Sequence, residues 1–293
     1  MDINENMGKA EIHITKASGE IVPFSADKLR LSLERAGAPD NQIEQVIQEI
    51  VPQLFPGITT KRIYHLAFKK LKNLERHLAG KYQLKKAIMN LGPSGFPFEK
   101  FISELFHFQG YTVEVGVFVP GKCVNHEVDV FAQKDGKKYL VECKYHNGPG
   151  TVSNVKIPLY IQARFEDINA NPAHRNKELQ FTQAWVVTNT KFTDDAIRYG
   201  NCAGLKLIGW NYPDIGSLRN LIDHSGLYPI TCLTTLTQTE KKILLENKIV
   251  LCTDVLKNPD KLSVLKIDLR KRPRILEEIK NLCISQEPDQ SVI

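Results

Sequence analysis

The pattern of apolar and polar residues predicts strands and helices at the N-terminus, a strand-rich centre and a helical C-terminus. Residues 12–24 form two short apolar stretches around a Ser-Gly pair, which predicts a hairpin. Helices are expected over 26–36 and 41–54, the first capped by Ser25. In 60–86, leucines recur at helical spacing among nine Lys or Arg and one acid. This stretch predicts one or two basic amphipathic helices, with either a solvated or a polyanion-binding face.

The centre of the chain alternates in the manner of paired strands. A helix is expected over 98–106, and the three strands that follow are expected over 111–119, 127–132 and 138–145. The pair Asp135-Gly136 predicts a tight turn between the last two strands. The chain therefore contains a predicted hairpin whose two strands lie side by side.

Side-chain alternation places three charged groups together on this hairpin. Glu142 and Lys144 share one face of their strand, because successive side chains point to opposite faces. Asp129, between two valines, projects from the neighbouring strand, and the hairpin brings it next to Glu142. An acidic pair on an apolar face is costly unless a cation is present. The alternative is a half-buried hairpin whose charges pair with one another.

Composition excludes several classes of protein. The 293 residues are 42% hydrophobic and 25% charged, which is ordinary for a globular chain of about two or three domains. The longest apolar runs have four residues, for example 249–252, whereas a membrane helix needs about 20. The six cysteines are at least 20 residues apart, so they form no CxxC pair, and a reducing cytoplasm is expected. A net charge of +6 is compatible with nucleic-acid binding.

The grouping of Asp129, Glu142 and Lys144 suits phosphodiester hydrolysis. Magnesium prefers hard oxygen ligands and needs only one or two carboxylates besides water and substrate phosphate. A lysine beside the metal orients the attacking water and stabilises the charge of the transition state. A Mg²⁺ or Mn²⁺ site is therefore expected here.

These residues resemble the PD-(D/E)xK nuclease core, in particular the Mrr-type restriction endonucleases. Asp129 precedes a turn and then Glu142-Cys143-Lys144, although Val128 replaces the proline of the motif name. The helix containing Glu99 resembles the first helix of that group, and the segment 185–193 resembles its closing strand. The resemblance covers about residues 93–212. It implies Asp129, Glu142 and Glu99 as metal ligands and Lys144 as the water-positioning residue.

Five further residues of this segment are weaker candidates. Mrr-type enzymes often carry a glutamine on the helix after ExK, and Gln162 is the match here. His126 and Glu127 precede Asp129, and His126 is expected at a hairpin end. Arg164 and Lys156 are expected to be surface residues without a role at the site. The alternative is that they contact DNA phosphates.

The N-terminal segment resembles the ATP-cone, a nucleotide-binding regulatory domain. Lys16 and Gly19 match its hairpin, Lys28 its second element, and Thr60 its helix start, while Lys86 lies near a late basic position. The hairpin departs from the pattern in having Ala-Ser at 17–18. The resemblance covers about residues 10–90 and implies ATP or dATP as an allosteric ligand bound by these five residues. The alternatives are DNA binding and a plain α+β domain.

The expected architecture is therefore α/β: a mixed-sheet, restriction-endonuclease-like core with an N-terminal α+β ATP-cone and a small helical C-terminal region. The expected domains are 1–92, 93–212 and 213–293. In the last domain, helices on either side of Asn247-Lys248 faintly resemble backbone-binding helix-hairpin-helix motifs; a packing or assembly role is the alternative. Asn247 is expected to accommodate left-handed geometry. The tail from Ser285 is expected to be loose.

The sequence thus predicts a cytoplasmic, homo-oligomeric metal-dependent DNA endonuclease that leaves 5′-phosphates and serves in defence against foreign DNA or in repair. No Walker A motif is present, so nucleotide is expected to be sensed and not hydrolysed for energy. One alternative is a nucleotide-responsive DNA-binding regulator without catalysis. Another is a structure-selective nuclease for branched DNA. No membrane partner is expected.

Overall fold

The computed structural model of the protein describes residues 12–148, 150–174, 180–268 and 270–283. They form two compact units. The first comprises the chain up to Gln83 together with Leu233–Thr235, and the second comprises Leu84–Cys232 and the chain from Leu236. The loose tail expected from Ser285 lies outside the described residues.

The first unit is a small hairpin followed by helices. Its elements are β1 (His13–Thr15), β2 (Ile21–Pro23), α1 (Ala26–Glu34), α2 (Asp40–Ile50), a 3-10 turn (Val51–Gln53), α3 (Thr60–Leu74) and α4 (Arg76–Tyr82). Gly19 turns the hairpin with a φ of +87°, a conformation that glycine adopts without strain. Ser25 caps α1 by accepting a hydrogen bond from the Lys28 N–H, as expected.

The second unit contains a five-stranded mixed sheet with helices around it. It begins with α5 (Leu84–Met89), α6 (Phe96–Phe108), β3 (Thr112–Pro120), β4 (Asn125–Lys134) and β5 (Lys137–Lys144). It continues with β6 (Val152–Ser153), α7 (Lys156–Asn169), β7 (Phe181–Thr188), β8 (Lys191–Phe192), α8 (Asp194–Cys202) and β9 (Lys206–Ile208). The sheet order is β3-β4-β5-β7-β9, antiparallel as far as β5 and parallel from β5 onward. The expected α/β class with a mixed-sheet core is confirmed.

The C-terminal part of the second unit is helical. Its helices are α9 (Leu218–Ser225), α10 (Gln238–Glu246), α11 (Cys252–Lys257) and α12 (Lys271–Cys283). Between α10 and α11 the left-handed residue is Lys248, with a φ of 59°, and not Asn247 as expected. Among the described helices, none is both long and apolar enough to cross a membrane.

The structure has two compact units, whereas three domains are expected from sequence, and the division at those three boundaries stays a prediction. The helix α5 belongs to the second unit, where the Thr231 hydroxyl donates to the Ala87 carbonyl. Residues from Leu236 onward share the unit of the nuclease-like sheet and form no separate body. The basic stretch 60–86 contains two helices and the start of a third, with breaks at Glu75 and Gln83, whereas one or two helices were expected. These boundaries depend on tertiary packing, which cannot be predicted from local composition.

The strands β4 and β5 are paired over only part of their length. Their register runs from Lys134↔Lys137, beside the Asp135-Gly136 turn, to Val130↔Val141. Beyond that point, among the described residues, β4 stays paired with β3 and β5 stays paired with β7. The sheet therefore divides at Asp129, and we call the space between the two strands the fork.

The buried residue Leu140 offers a test of this core. It is fully buried in β5, so Leu140→Ala should lower the free energy of unfolding by about 2–5 kcal/mol, measured by urea denaturation. The exposed Lys137→Ala on the same strand is the control and should change it by less than about 0.5 kcal/mol. Equal effects of the two changes would contradict the burial of this face.

Candidate active site

Asp129 and Glu142 lie at the opening of the fork. The Asp129 Oδ2 accepts a hydrogen bond of 2.7 Å from the Cys143 N–H, so the carboxylate replaces a strand carbonyl as the partner of that amide. Glu142 follows Val141 on β5 and is half-buried. The sequence predicted that these two acids meet on neighbouring strands, and the structure brings them together.

Burial raises the pKa values of both acids. For Asp129 the Cys143 N–H, Arg164 and Lys144 act in the opposite direction, favouring the charged form. For Glu142 the charge of Asp129 adds to the effect of burial, and Arg164 and Lys144 oppose it. The Lys144 ammonium is thus close enough to act on both carboxylates, as predicted. It donates no hydrogen bond within the described residues.

Glu99 joins this group from the first turn of α6. Burial, together with the negative charges of Asp129, Glu127 and Glu142, raises the pKa of Glu99 to about 7. A Cβ at position 95 would lie 2.9 Å from its Oε1, so the carboxylate folds back over Gly95 at the helix start. The structure therefore places Glu99 beside the two acids, as the sequence predicted.

Glu127 is a fourth member of the acidic group, although the sequence analysis ranked it lower. Its charge raises the pKa values of Asp129 and Glu99. Residues two apart on a strand share a face, so strand alternation from Asp129 was the signal that identifies it. His126, by contrast, contacts Asp167 at 2.8 Å, outside this group.

Arg164 is the α7 residue whose side chain contacts Glu142, and the active-site role of Gln162 stays a prediction. The Arg164 Nη1 donates to Glu142 Oε2 at 2.7 Å, and its side chain is only 8% exposed. This corrects the expected surface placement of Arg164, whereas Lys156 is exposed. Gln162 donates to Glu166 and lies two residues away around the helix, where side chains do not share a face. The spacing Ile161, Arg164, Ile168 places the arginine on the buried stripe of α7 and was the available signal.

A buried polar network holds the chain just after Lys144. The Thr188 hydroxyl donates to the Lys144 carbonyl at 2.8 Å. The Asn189 amide pairs with both the N–H and the carbonyl of His146 at 2.9 Å. The Tyr145 hydroxyl donates to the Met89 carbonyl and accepts from the Gly92 N–H. Fully buried Thr188 and Asn189 thus hold the backbone at Lys144 and at His146 in place.

The oxygens that remain free suit a hard cation. Asp129 Oδ1 and Glu142 Oε1 accept no hydrogen bond from the described residues. Cys143 is buried, and burial raises its thiol pKa, so no soft thiolate ligand competes. Among the described residues, no three His, Cys, Asp or Glu side chains are already arranged as metal ligands. Two carboxylates with substrate and water oxygens fit Mg²⁺ or Mn²⁺, and the role of Glu99 as a third ligand stays a prediction.

Of the five residues expected to bind nucleotide, Lys16, Gly19, Lys28 and Thr60 lie in the first unit and Lys86 lies in the second. In the first unit, β1 approaches the start of α3, where the Thr15 N–H donates to the Ile58 carbonyl at 3.0 Å. Thr59 caps α3, and Thr60 is its first residue. Lys16 pairs with Glu20 at 2.9 Å across the turn that contains Gly19.

Lys28 and Lys86 lie on different elements. Lys28 stands in the first turn of α1. Lys86 is in α5 of the second unit. Burial of Lys241 lowers the pKa of that lysine, and the charge of Lys86 makes a smaller contribution in the same direction. The structure therefore does not group Lys86 with the other four residues inside one unit.

A mixed sheet with acids and a lysine at a fork, preceded by a helical glutamate, defines a nuclease domain of the restriction-endonuclease class. Residues 92–211 match the family model of the restriction endonuclease catalytic domain, and residues 12–88 match the ATP cone domain. Residues 228–283 match the AF1548-like C-terminal model. Both resemblances seen in the sequence are confirmed.

The chain belongs to the AF1548-like family. It is 35% identical over 185 residues to an uncharacterized protein of Archaeoglobus fulgidus, in an alignment that covers 62% of this chain and 99% of that protein. The crystal structure of the protein of unknown function AF1548 is similar, with a TM-score of 0.53 and 34% identity. That similarity covers 65% of this chain and 98% of the solved one.

The raised pKa of Glu99 predicts a pH-dependent stability. Its value in the metal-free folded chain is about 7, above the usual 4.5, so its stabilising contribution is complete below pH 4.5 and is lost as the pH rises through 7. Glu99→Gln should therefore gain stability relative to the parent between these pH values. We expect a gain of about 1 kcal/mol at pH 8 in EDTA, discounted for solvent screening and measured by urea unfolding.

The matched control is Glu104→Gln on the same helix. Glu104 pairs with Lys100, so its removal should be neutral or slightly destabilising at every pH above 5. A Glu99→Gln variant that is no more stable than the parent at pH 8 would contradict the proximity of the acids.

Proposed function

We propose that this protein is a Mg²⁺- or Mn²⁺-dependent DNA endonuclease whose activity responds to ATP or dATP. The observation that carries the proposal is the electrostatic interaction of four side chains at the fork. The charges of Asp129 and Glu142 act on Glu99, and the charge of Lys144 acts on Asp129 and Glu142. Burial raises the pKa values of Glu99, Asp129 and Glu142, and three such carboxyl groups beside one lysine are typical of a functional site.

Each residue has a distinct role in this reaction. Asp129 and Glu142 hold the cation through the oxygens that no described N–H group contacts, and Glu99 assists. When bound, the cation supplies Lewis-acid stabilisation of the charge on the scissile phosphate. Lys144 orients the attacking water and offsets negative charge in the transition state. The water oxygen bonds to phosphorus as the bond from phosphorus to the 3′ oxygen breaks. The water releases a proton to solvent and the 3′ oxygen takes up one from solvent, which leaves a 5′-phosphate and a 3′-hydroxyl.

Exposed basic side chains of the second unit would hold the DNA. Lys156 at the start of α7 and Lys191 in β8 are exposed on the second unit. Lys248 is exposed beside the ring of Phe96 at 5.7 Å, at the start of the helix that carries Glu99. Phosphate contacts of this kind make DNA binding fall steeply with salt concentration.

The ATP cone would sense nucleotide at its hairpin and helix starts. Lys16 and Lys28 are point charges for phosphates, and Gly19 allows close approach of the turn backbone. Thr60 begins α3 next to β1. Nucleotide would bias an assembly or a conformation that cuts DNA, since a ligand shifts an equilibrium by its differential affinity. Defence against foreign DNA and a homo-oligomeric state are part of the same proposal.

One observation favours a second candidate, a nucleotide-responsive DNA-binding regulator without catalysis. Arg164 already pairs with Glu142, as in a structural salt bridge. A cleavage assay with divalent metal, across a titration of ATP and dATP, separates the two functions. Comparison of linear, nicked and four-way DNA in the same assay separates general from structure-selective cleavage.

Asp129→Asn and Lys144→Ala should abolish cutting and leave DNA binding intact. Each change removes a group that acts on the reacting atoms, so we expect a loss of at least about 100-fold in cleavage rate with Mg²⁺ or Mn²⁺. Plasmid nicking measures the rate, and fluorescence anisotropy in EDTA measures DNA affinity.

The control for this pair of variants is Lys137→Ala, exposed at the far end of β5. It should cut at the rate of the parent. A parent protein that binds DNA and never cuts, with either metal and with or without nucleotide, would leave the regulator as the function.

Lys28→Ala should weaken nucleotide binding by about 10-fold, because it removes a phosphate partner. Binding of a fluorescent ATP analogue measures the affinity. Lys70→Ala is the matched control, since Lys70 is occupied by Glu49 on the neighbouring helix of the same unit. Equal affinities for the parent and Lys28→Ala would remove Lys28 from the nucleotide site.

A further inference from the structure

Arg164 contacts both strands of the fork. Its Nη1 donates to the Glu142 carboxylate on β5, and its Nη2 donates to the Glu127 carbonyl on β4. Both contacts lie beyond Val130↔Val141, the last backbone pair between these strands among the described residues. One guanidinium therefore replaces backbone pairing as a link between the strands that carry the acids.

The stability of the fold does not explain this contact. A buried ion pair contributes little net stability, because removing both charges from water offsets their attraction. The Arg164 Nε is also buried with no hydrogen-bond partner in the described chain. An unsatisfied buried donor costs free energy, so its retention points to a role at the site.

The position of Arg164 is unsuitable for binding DNA. Its side chain is 8% exposed, and its guanidinium lies against the ring of Tyr160, 5.4 Å from the ring centre. Tyr160 itself is 61% exposed and is the residue that faces solvent there. The planar guanidinium makes two contacts, one from each terminal nitrogen, and the single ammonium group of a lysine does not reproduce this geometry.

We propose that Arg164 is the positioning residue of the metal site. By holding Oε2 of Glu142 it leaves Oε1 available to a cation, and by holding the Glu127 carbonyl it sets the distance between Asp129 and Glu142. The inference rests on the proposed function for its catalytic consequence, although its effect on the fork exists without metal or DNA.

The test compares Arg164→Lys and Arg164→Ala with the parent protein. Arg198→Ala is the control, because Arg198 pairs with Asp195 on the surface of the same unit and is 78% exposed. Three quantities are measured on the full chain: the Mn²⁺ concentration for half-maximal binding, the kcat and KM for DNA cleavage, and the amide hydrogen exchange of Cys143 in EDTA.

Loss of the link should weaken Mn²⁺ binding and lower kcat by about 10- to 100-fold in both variants, as for other residues that orient metal ligands. The KM for DNA and the DNA affinity in EDTA should change by less than about twofold, since Arg164 is buried. The Cys143 amide should exchange faster, because its partner Asp129 is no longer held in place. Added guanidinium should restore activity to Arg164→Ala and not to Arg164→Lys.

The proposal is overturned if either variant loses DNA affinity while its Mn²⁺ requirement stays unchanged, which would identify a phosphate contact. It is also overturned if Arg164→Lys matches the parent in Mn²⁺ binding and Cys143 exchange. Should Arg164→Ala fail to fold, Arg164→Lys decides the outcome. If the parent binds Mn²⁺ and cuts no DNA, the proposed function fails, while Mn²⁺ binding and Cys143 exchange still test the positioning role of Arg164. If the parent binds no Mn²⁺, Cys143 exchange alone tests that role.

Discussion

Mutual repulsion among carboxylates in a half-buried space is the constraint on which the candidate site depends. The negative charges of Asp129, Glu127 and Glu142 act on Glu99, and burial disfavours the charged forms of Glu99, Asp129 and Glu142. Such a group persists in a folded protein only when protons, cationic side chains or a bound cation offset its charge. Arg164 and Lys144 supply part of this compensation, and the remainder is the physical reason to expect a divalent ion.

The division of the sheet creates the space that these acids share. Continuous pairing of β4 with β5 would have filled it with backbone hydrogen bonds. Instead, the Asp129 carboxylate takes the Cys143 N–H, and Arg164 connects the strands from α7. Thr188 and Asn189 hold the backbone carbonyls of Lys144 and His146 at the end of β5. The side chains of the fork are therefore held in place by side-chain hydrogen bonds and not by continuous pairing of its two strands.

The C-terminal region is part of the same compact unit as this sheet. Residues matching the AF1548-like C-terminal model contact α5 through Thr231, and Lys241 donates to the Thr231 carbonyl from a buried position. A buried lysine needs such a partner, because its charge is otherwise unsolvated. The region thus contributes to the core of the unit.

The sequence alone determined the elements and the acidic centre. Strand alternation and the Asp135-Gly136 turn sufficed to pair Asp129 with Glu142, and the first-turn position of Glu99 agreed with its place beside them. These inferences succeeded because they depend on local periodicity and on one short turn. Only the tertiary structure decided that Arg164 contacts Glu142, that the charge of Glu127 acts on Asp129 and Glu99, and that Lys86 belongs to the second unit. Periodicity indicated the faces on which Glu127 and Arg164 lie, but which helix face packs against which strand is a long-range packing choice that neighbouring residues in the sequence do not encode.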